Sequence, residues 1–358
     1  MSELYSRRCR SCGASFVYDP QSETLKCPYC GSQETLTPSY EGIQEIDLEE
    51  ALQAAQTPTS LTGYHVVYCQ SCGAEIACQE VRAACGFCGS ENVSEKALQA
   101  LPVKPQGVLP FRVSQEEARA AFDRWVRSLW LAPSDLKDKR QIEKIRGFYL
   151  PIWTFDAQVW AHWRAEPGYY RTRTERYFDP RSRSWQSRTV TYVEWGPPVS
   201  GHHQDFYDDV LVSGLVSLPT SYLDSVGGFA TPSDLQAYNP DYFLGWEVAL
   251  PDKPLPAAWK EAYQRIYEMT AEACKRALPG DTHRNFSMRL QLSGLTTKLA
   301  YVPLYVVAYR YKGKPYRVVI HGRSGAVHGE SPLSWVKVTL LVLALLVGVG
   351  LLAWLSGR

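Results

Sequence analysis

The apolar pattern of the chain changes period along its length. At the far end every residue from Val338 to Leu355 is uncharged. At about 1.5 Å per residue this run spans about 27 Å, close to the hydrocarbon thickness of a bilayer. Trp335 and Trp354 bracket it where indoles favour the interface, and Lys337 precedes it. The pattern predicts one C-terminal transmembrane helix within 335–358, with the large N-terminal part in the cytoplasm. Upstream the apolar period is helical. Ser114 to Leu131 opens with a Ser-x-x-Glu box (Ser114, Glu117) and sets Ala118, Phe122, Trp125 and Leu129 on one face. Residues 257–278 set Trp259, Tyr263, Ile266, Met269 or Thr270, and Ala273 on another, with Pro279-Gly280 as the stop. Asp47 to Ala55 begins with a D-x-x-E pattern and reads as a short helix.

The remaining apolar runs are strand-like and rich in aromatics. Tyr149-Leu150-Pro151-Ile152-Trp153 is echoed by Tyr301-Val302-Pro303-Leu304-Tyr305, which predicts two related sheet-forming halves. Lys312-Gly313-Lys314 and Arg323-Ser324-Gly325 punctuate three further runs as a meander. Residues 101–334 therefore read as an α+β domain, mainly antiparallel and β-rich, with two or more helices, entered through a linker marked by Pro102, Pro105 and Pro110.

Cysteine spacing adds metal chemistry. Eight of the ten cysteines form two C-x2-C…C-x2-C sets: Cys9, Cys12, Cys27 and Cys30, then Cys69, Cys72, Cys85 and Cys88. Tetrahedral zinc is closed by four thiolates, and a glycine after each pair lets the backbone turn beneath the sulfurs. The spacing predicts zinc ribbons at 1–40 and 65–100, separated by an acidic linker with a short helix at 41–64. Two structural zinc ions are expected, with no open coordination position for catalysis. The first residues lack the apolar core of a secretory signal, which fits a reducing compartment where thiolates stay free. Cys78 and Cys274 fall outside both sets and read as small buried apolar residues.

Charge narrows the partners. The net charge of the chain is +1, yet residues 41–100 hold two basic residues against nine acids, a local balance of −7. Such a segment repels a polyanion, so nucleic acid is not favoured as the ribbons' ligand. Between Arg164 and Arg188 the balance reverses around an Asp179-Pro180 turn. A hairpin there presents Arg171, Arg173, Arg176, Arg181, Arg183 and Arg188 as an anionic-surface binder, with membrane lipid headgroups the first candidate and a solvated hairpin the plain alternative. His202-His203-Gln204-Asp205 lacks a partner motif for metal binding. No phosphate loop, nucleophile elbow or zinc-protease motif is present, so no enzyme is indicated.

These residues, in this order, also resemble a known family. The ribbon, Gly42-Ile43-Gln44-Glu45-Ile46-Asp47-Leu48-Glu49-Glu50-Ala51, the second ribbon, Leu109-Pro110-Phe111-Arg112-Val113, Lys144-Ile145-Arg146-Gly147-Phe148-Tyr149-Leu150-Pro151-Ile152-Trp153, Asp208-Asp209-Val210-Leu211-Val212 and the final anchor are similar to bacterial membrane-anchored proteins with transcription-factor-IIB-type zinc ribbons. Members are often labelled primosomal protein N′ or replication-restart helicase-like, although this chain lacks a helicase's phosphate loop. The resemblance implies zinc on the eight ribbon cysteines and a place in envelope-stress or membrane-scaffold assemblies with phage-shock-protein-A-like or flotillin-like partners. The expectation is a non-enzymatic zinc-ribbon adaptor, single-pass in the cytoplasmic membrane, that recruits cytosolic proteins. A membrane-tethered nucleic-acid-binding zinc-ribbon protein is the alternative.

Overall fold

The two echoed segments lie side by side. In the computed structural model, which describes residues 7–36, 42–54, 65–71, 74–78, 85, 90, 93–96, 105–137, 145–312 and 314–356, they belong to two long antiparallel strands, Ile145–Asp179 and Thr282–Tyr311. Pro151 pairs with Tyr301 and Tyr149 with Pro303, so a local dyad passes between the strands. The dyad extends to the surroundings. Gly214 N–H donates to Pro151 O at 2.9 Å and Gly322 N–H to Pro303 O at 3.0 Å. Gly214 O accepts from the N–H groups of Asp252 and Lys253, and Gly322 O from those of Arg112 and Val113. A helix follows each of these segments, Gln115–Ser128 in one half and Leu255–Arg276 in the other. A short parallel strand precedes each helix and pairs with the other half's long strand: Val108 lies beside Tyr301, and Val248 beside Tyr149.

Local sequence explains these elements. Ser114 Oγ accepts from Glu117 N–H at 3.2 Å while Glu117 Oε2 accepts from Ser114 N–H at 2.8 Å, which completes the expected capping box. The longer helix also forms, but its buried stripe is Leu255, Ala258, Ala262, Ile266, Thr270 and Cys274, rotated from the face read in the sequence. Tyr263 and Met269 are 42% and 43% exposed. Ala258 and Ala262 let the helix lie close on the sheet, and the larger side chains move to its flanks. Beneath it, Ala157, Val159, Ala161 and Ala165 are fully buried, while Gln158, Trp160, His162 and Arg164 on alternate positions face away and are exposed.

The ribbons and the linker, read in the sequence as separate units, are built into this body. The first ribbon's strands, Val17–Asp19, Thr24–Lys26 and Gln33–Glu34, form their own sheet. Its Phe16, Tyr18 and Leu25 enter one core with Phe111, Tyr149 and Phe243. The second ribbon's His65–Cys69, Glu75–Cys78 and Val93–Lys96 join the main sheet through the pairing of Ile76 with Ala249. In the linker, Ile46–Asp47 pairs with Thr296 and Thr297, and the helix Leu48–Ala54 buries Leu48 and Ala51 against Leu255, Ala258 and Ala262.

Two parts project. Beyond Gly168 the first long strand continues with Ser184–Trp195 as its partner, a two-stranded arm turning at residues 180–183. At the other end of the chain, the meander strands Lys314–His321 and Val327–Gly329 lead to the apolar helix Trp335–Ser356. Its foot is held by Ser334 N–H on Leu131 O at 2.8 Å and by Lys337 Nζ on Ala132 O at 2.6 Å.

Gly214 has no room for a side chain, since a Cβ there would lie 2.8 Å from Pro151 O. Gly214→Ala is expected to cost about 1–3 kcal/mol of stability, the usual range for overpacking, read as a lower midpoint in urea unfolding.

Candidate metal centre

The first cysteine set closes on itself. The Sγ atoms of Cys9, Cys12, Cys27 and Cys30 all lie within 4.8 Å of one another. Cys9 and Cys30 are 3.5 Å apart, and Cys12 and Cys27 3.4 Å. Zinc with four sulfurs at about 2.3 Å needs edges of about 3.8 Å, so the tetrad admits the ion with a slight expansion. Each knuckle is shaped by the same backbone bonds: Cys9 N–H to Ala14 O and Gly13 N–H to Cys9 O, then Cys27 N–H to Ser32 O and Gly31 N–H to Cys27 O. Gly13 and Gly31 both take φ +76°, the left-handed turn such a knuckle requires. The Ser32 hydroxyl, 3.1 Å from Cys30 Sγ, and then the Ser32 backbone hold the Cys30 thiol down to about 6, which favours a thiolate. Cys9 and Cys27 are buried, whereas Cys12 and Cys30 face solvent.

Among the described residues, the second set repeats the first of these backbone bonds in each knuckle. Cys69 N–H donates to Ala74 O and Cys85 N–H to Ser90 O, and Ser71 and Ser90 meet at 2.7 Å as Ser11 and Ser32 do at 3.3 Å. Cys69 and Cys85 are buried, while Cys72 and Cys88 lie outside the described residues. Cys274 is a core residue beside Met288 sulfur, and burial pushes its thiol up. The side chain of Cys78 lies outside the described residues.

A charged network that sequence reasoning missed lies inside the sheet. Lys298, 5% exposed, sits 2.8 Å from both Asp209 Oδ1 and Glu45 Oε1. Asp156 accepts from Asp209 N–H at 2.7 Å and from the Thr296 hydroxyl at 2.6 Å. Burial raises Asp156 to about 6. Burial opposes the charge on Lys298, but its carboxylate partners prevail and raise it to about 12. Asp156, Asp208 and Asp209 are close enough to suggest a cation site. The Lys298 ammonium already supplies the cation, so the group works as an internal ion pair that fastens Glu45 of the linker to the body. The signal available in the sequence was one lysine inside the run Leu295 to Tyr305, otherwise free of charge.

The arginine hairpin forms with its turn at the expected place, but the register divides its charges. Arg171, Arg173 and Arg188 share one face with Glu175 and Glu194. There Arg171 pairs with Glu194 at 2.8 Å, and Arg173 and Arg188 both pair with Glu175. Arg176 lies on the opposite face with Thr172, Thr174, Phe178 and Trp185, and Arg181 and Arg183 are in the turn. His202 stacks on Trp160, and His203 approaches Asp205 at 3.7 Å; neither belongs to a metal-ligating cluster among the described residues.

No family model matches this chain, and no solved structure matches it. It is similar to the uncharacterized protein YdjG of Bacillus subtilis (strain 168), 23% identical over 364 residues that cover 99% of this chain and 94% of that protein.

Cys12 is exposed, so its loss tests the metal with little change in packing. Cys12→Ser is expected to lower bound zinc by about one equivalent, measured by elemental analysis of the purified full chain, and to lower the unfolding temperature. Lys298→Met leaves Asp209 buried without its cation and is expected to cost about 3–5 kcal/mol. Cleavage of residues 42–54 by a protease should also accelerate. Asp156 binds its proton more tightly folded than unfolded, near 6 against 3.8, so its contribution to stability is present at low pH and lost as pH rises through 6. The stability difference between the native chain and Asp156→Asn, followed by denaturant titration from pH 4 to 7, should drift against the native chain with that sign.

Proposed function

We propose that this protein is a non-enzymatic zinc-ribbon adaptor, held in the cytoplasmic membrane by one C-terminal helix and recruiting cytosolic proteins from the body that helix carries. The observation that carries the reading is the helix itself. Trp335 to Leu352 is long and apolar enough to cross a bilayer, and none of that window is buried against the body. An apolar surface of this size needs a cover, and lipid supplies it along the whole length. Lys337 at its foot supports a cytoplasmic body.

In this reading each ribbon holds one structural zinc, and the repeated knuckle bonds of the second ribbon support its filling like the first. The partner-facing parts are those the body leaves uncovered. The arm is prominent among them, with Trp185 65%, Tyr170 56% and Phe178 49% exposed. Because its charges are largely paired on one face, the arm suits a protein surface better than a uniformly anionic leaflet. By the family resemblance, the partner class is phage-shock-protein-A-like or flotillin-like, within an envelope-stress or membrane-scaffold assembly.

A chain ending at residue 334 is expected to leave the membrane fraction, whereas the full chain resists alkaline carbonate extraction. Tagged full-length protein from solubilised membranes should bring down defined cytosolic proteins that a Cys69→Ser/Cys72→Ser chain loses. Retention of every partner by that variant, or nucleic acid recovered in place of protein, would overturn the adaptor reading.

A further inference from the structure

The dyad that relates the two halves also relates two buried or half-buried cations. Arg146 pairs across the sheet with Val306, and Lys298 with Thr154. Each cation stands five residues before the proline of its own half, Pro151 or Pro303. Arg146 and Lys298 therefore hold equivalent positions in the fold.

Their surroundings differ in one respect. The Lys298 ammonium is shared by two carboxylates of different origin, Asp209 from the body and Glu45 from the linker. The linker reaches it as an added strand, Ile46–Asp47, on the edge of the second long strand. At Arg146 the body again supplies a carboxylate, but Glu247 Oε1 is 3.8 Å from Nη1, and that buried nitrogen makes no hydrogen bond among the described residues. The second carboxylate has no counterpart among the described residues. In its place is a cleft of about 350 Å³ between the first ribbon and the body, lined by Val17, Tyr18, Gln115, Arg146, Trp246 and Glu247. Other polar groups of the wall are engaged: Gln115 Nε2 donates to Ile145 O at 2.8 Å and Trp246 Nε1 to Tyr18 O at 3.1 Å.

We infer that this cleft takes an acidic, extended peptide segment of a partner protein, with a carboxylate on Arg146 and neighbouring apolar side chains against Val17 and Trp246. The charge follows from the incompletely bonded guanidinium, which binds a carboxylate through strong charge-assisted hydrogen bonds. The extended form follows from the equivalent place in the other half, where an acidic segment docks by strand addition. The inference rests on the adaptor reading and gives its partner a chemistry. The adaptor reading stands or falls on co-purification and can hold with a docking site elsewhere.

The probe is a fluorescein-labelled peptide with the sequence of residues 42–50, Gly-Ile-Gln-Glu-Ile-Asp-Leu-Glu-Glu. It is titrated by anisotropy against the full chain in lipid nanodiscs. Saturable binding is expected, weakened about tenfold or more by Arg146→Gln, as loss of a charge-assisted pair implies. Arg146→Lys should retain most of the affinity and shows that the site, rather than the fold, was changed. A peptide with glutamine for its first glutamate should bind more weakly to the native chain. No saturable binding would overturn the inference. So would equal affinity for the native and Arg146→Gln chains, which would mean the peptide had displaced the linker at Lys298.

Discussion

The paired segments around Pro151 and Pro303 are the constraint on which the rest of the molecule depends. A proline in a central strand has no N–H to give, and here each offers its carbonyl to the glycine that directly follows the neighbouring strand. That glycine's own carbonyl then receives two N–H groups from the segment leading into a helix. Strand pairing, helix entry and the path of the next strand are thus fixed at one point in each half. Both points meet across the dyad, so the sheet has a common origin from which its long strands run outward.

What was legible in the sequence was local. Cysteine spacing marks the knuckles because turn geometry is settled within a few residues. The uncharged C-terminal run is legible because a continuous apolar stretch marks a helix without reference to any register with a distant segment. The capping box at Ser114 formed as read for the same reason. The echoed pentapeptides showed that two halves are related, but nothing local told that they would be each other's neighbours. The Lys298 network was illegible because Glu45 lies 253 positions from the lysine it meets. The pairing of charges on the arginine hairpin was illegible in the same way. Alternation places Arg171 and Arg173 together, while only the cross-strand register reveals that Glu194 and Glu175 share their face. The rotated face of the long helix has another cause. Periodicity finds large apolar residues, and close packing against a sheet selects small ones.

The ribbons are better understood as corners of the body than as appended modules. Cys9 and Cys27 belong to the same buried cluster as Phe111 and Tyr149, and Cys69 and Cys85 to that of Phe148 and Leu150. A metal bound at the four sulfurs of the first set would pass its binding energy into a core it does not touch, and folding of the body would then depend on the state of those thiols. The linker between the ribbons is also committed. Its acidic residues, which make the segment so negative, are in part the counter-charge of a buried lysine.

The foot of the apolar helix bears on how the body would meet a bilayer. A flexible tether lets a domain sample a hemisphere of orientations above the membrane. Lys337 gripping Ala132 O, with Ser334 on Leu131 O, makes a bracket in place of a tether. A body so mounted on a bilayer would keep the same side toward the lipid plane, and any search for a partner would lose rotational freedom before contact began. Less orientational entropy would then be left to surrender on binding, so even small contact areas would suffice for lasting complexes.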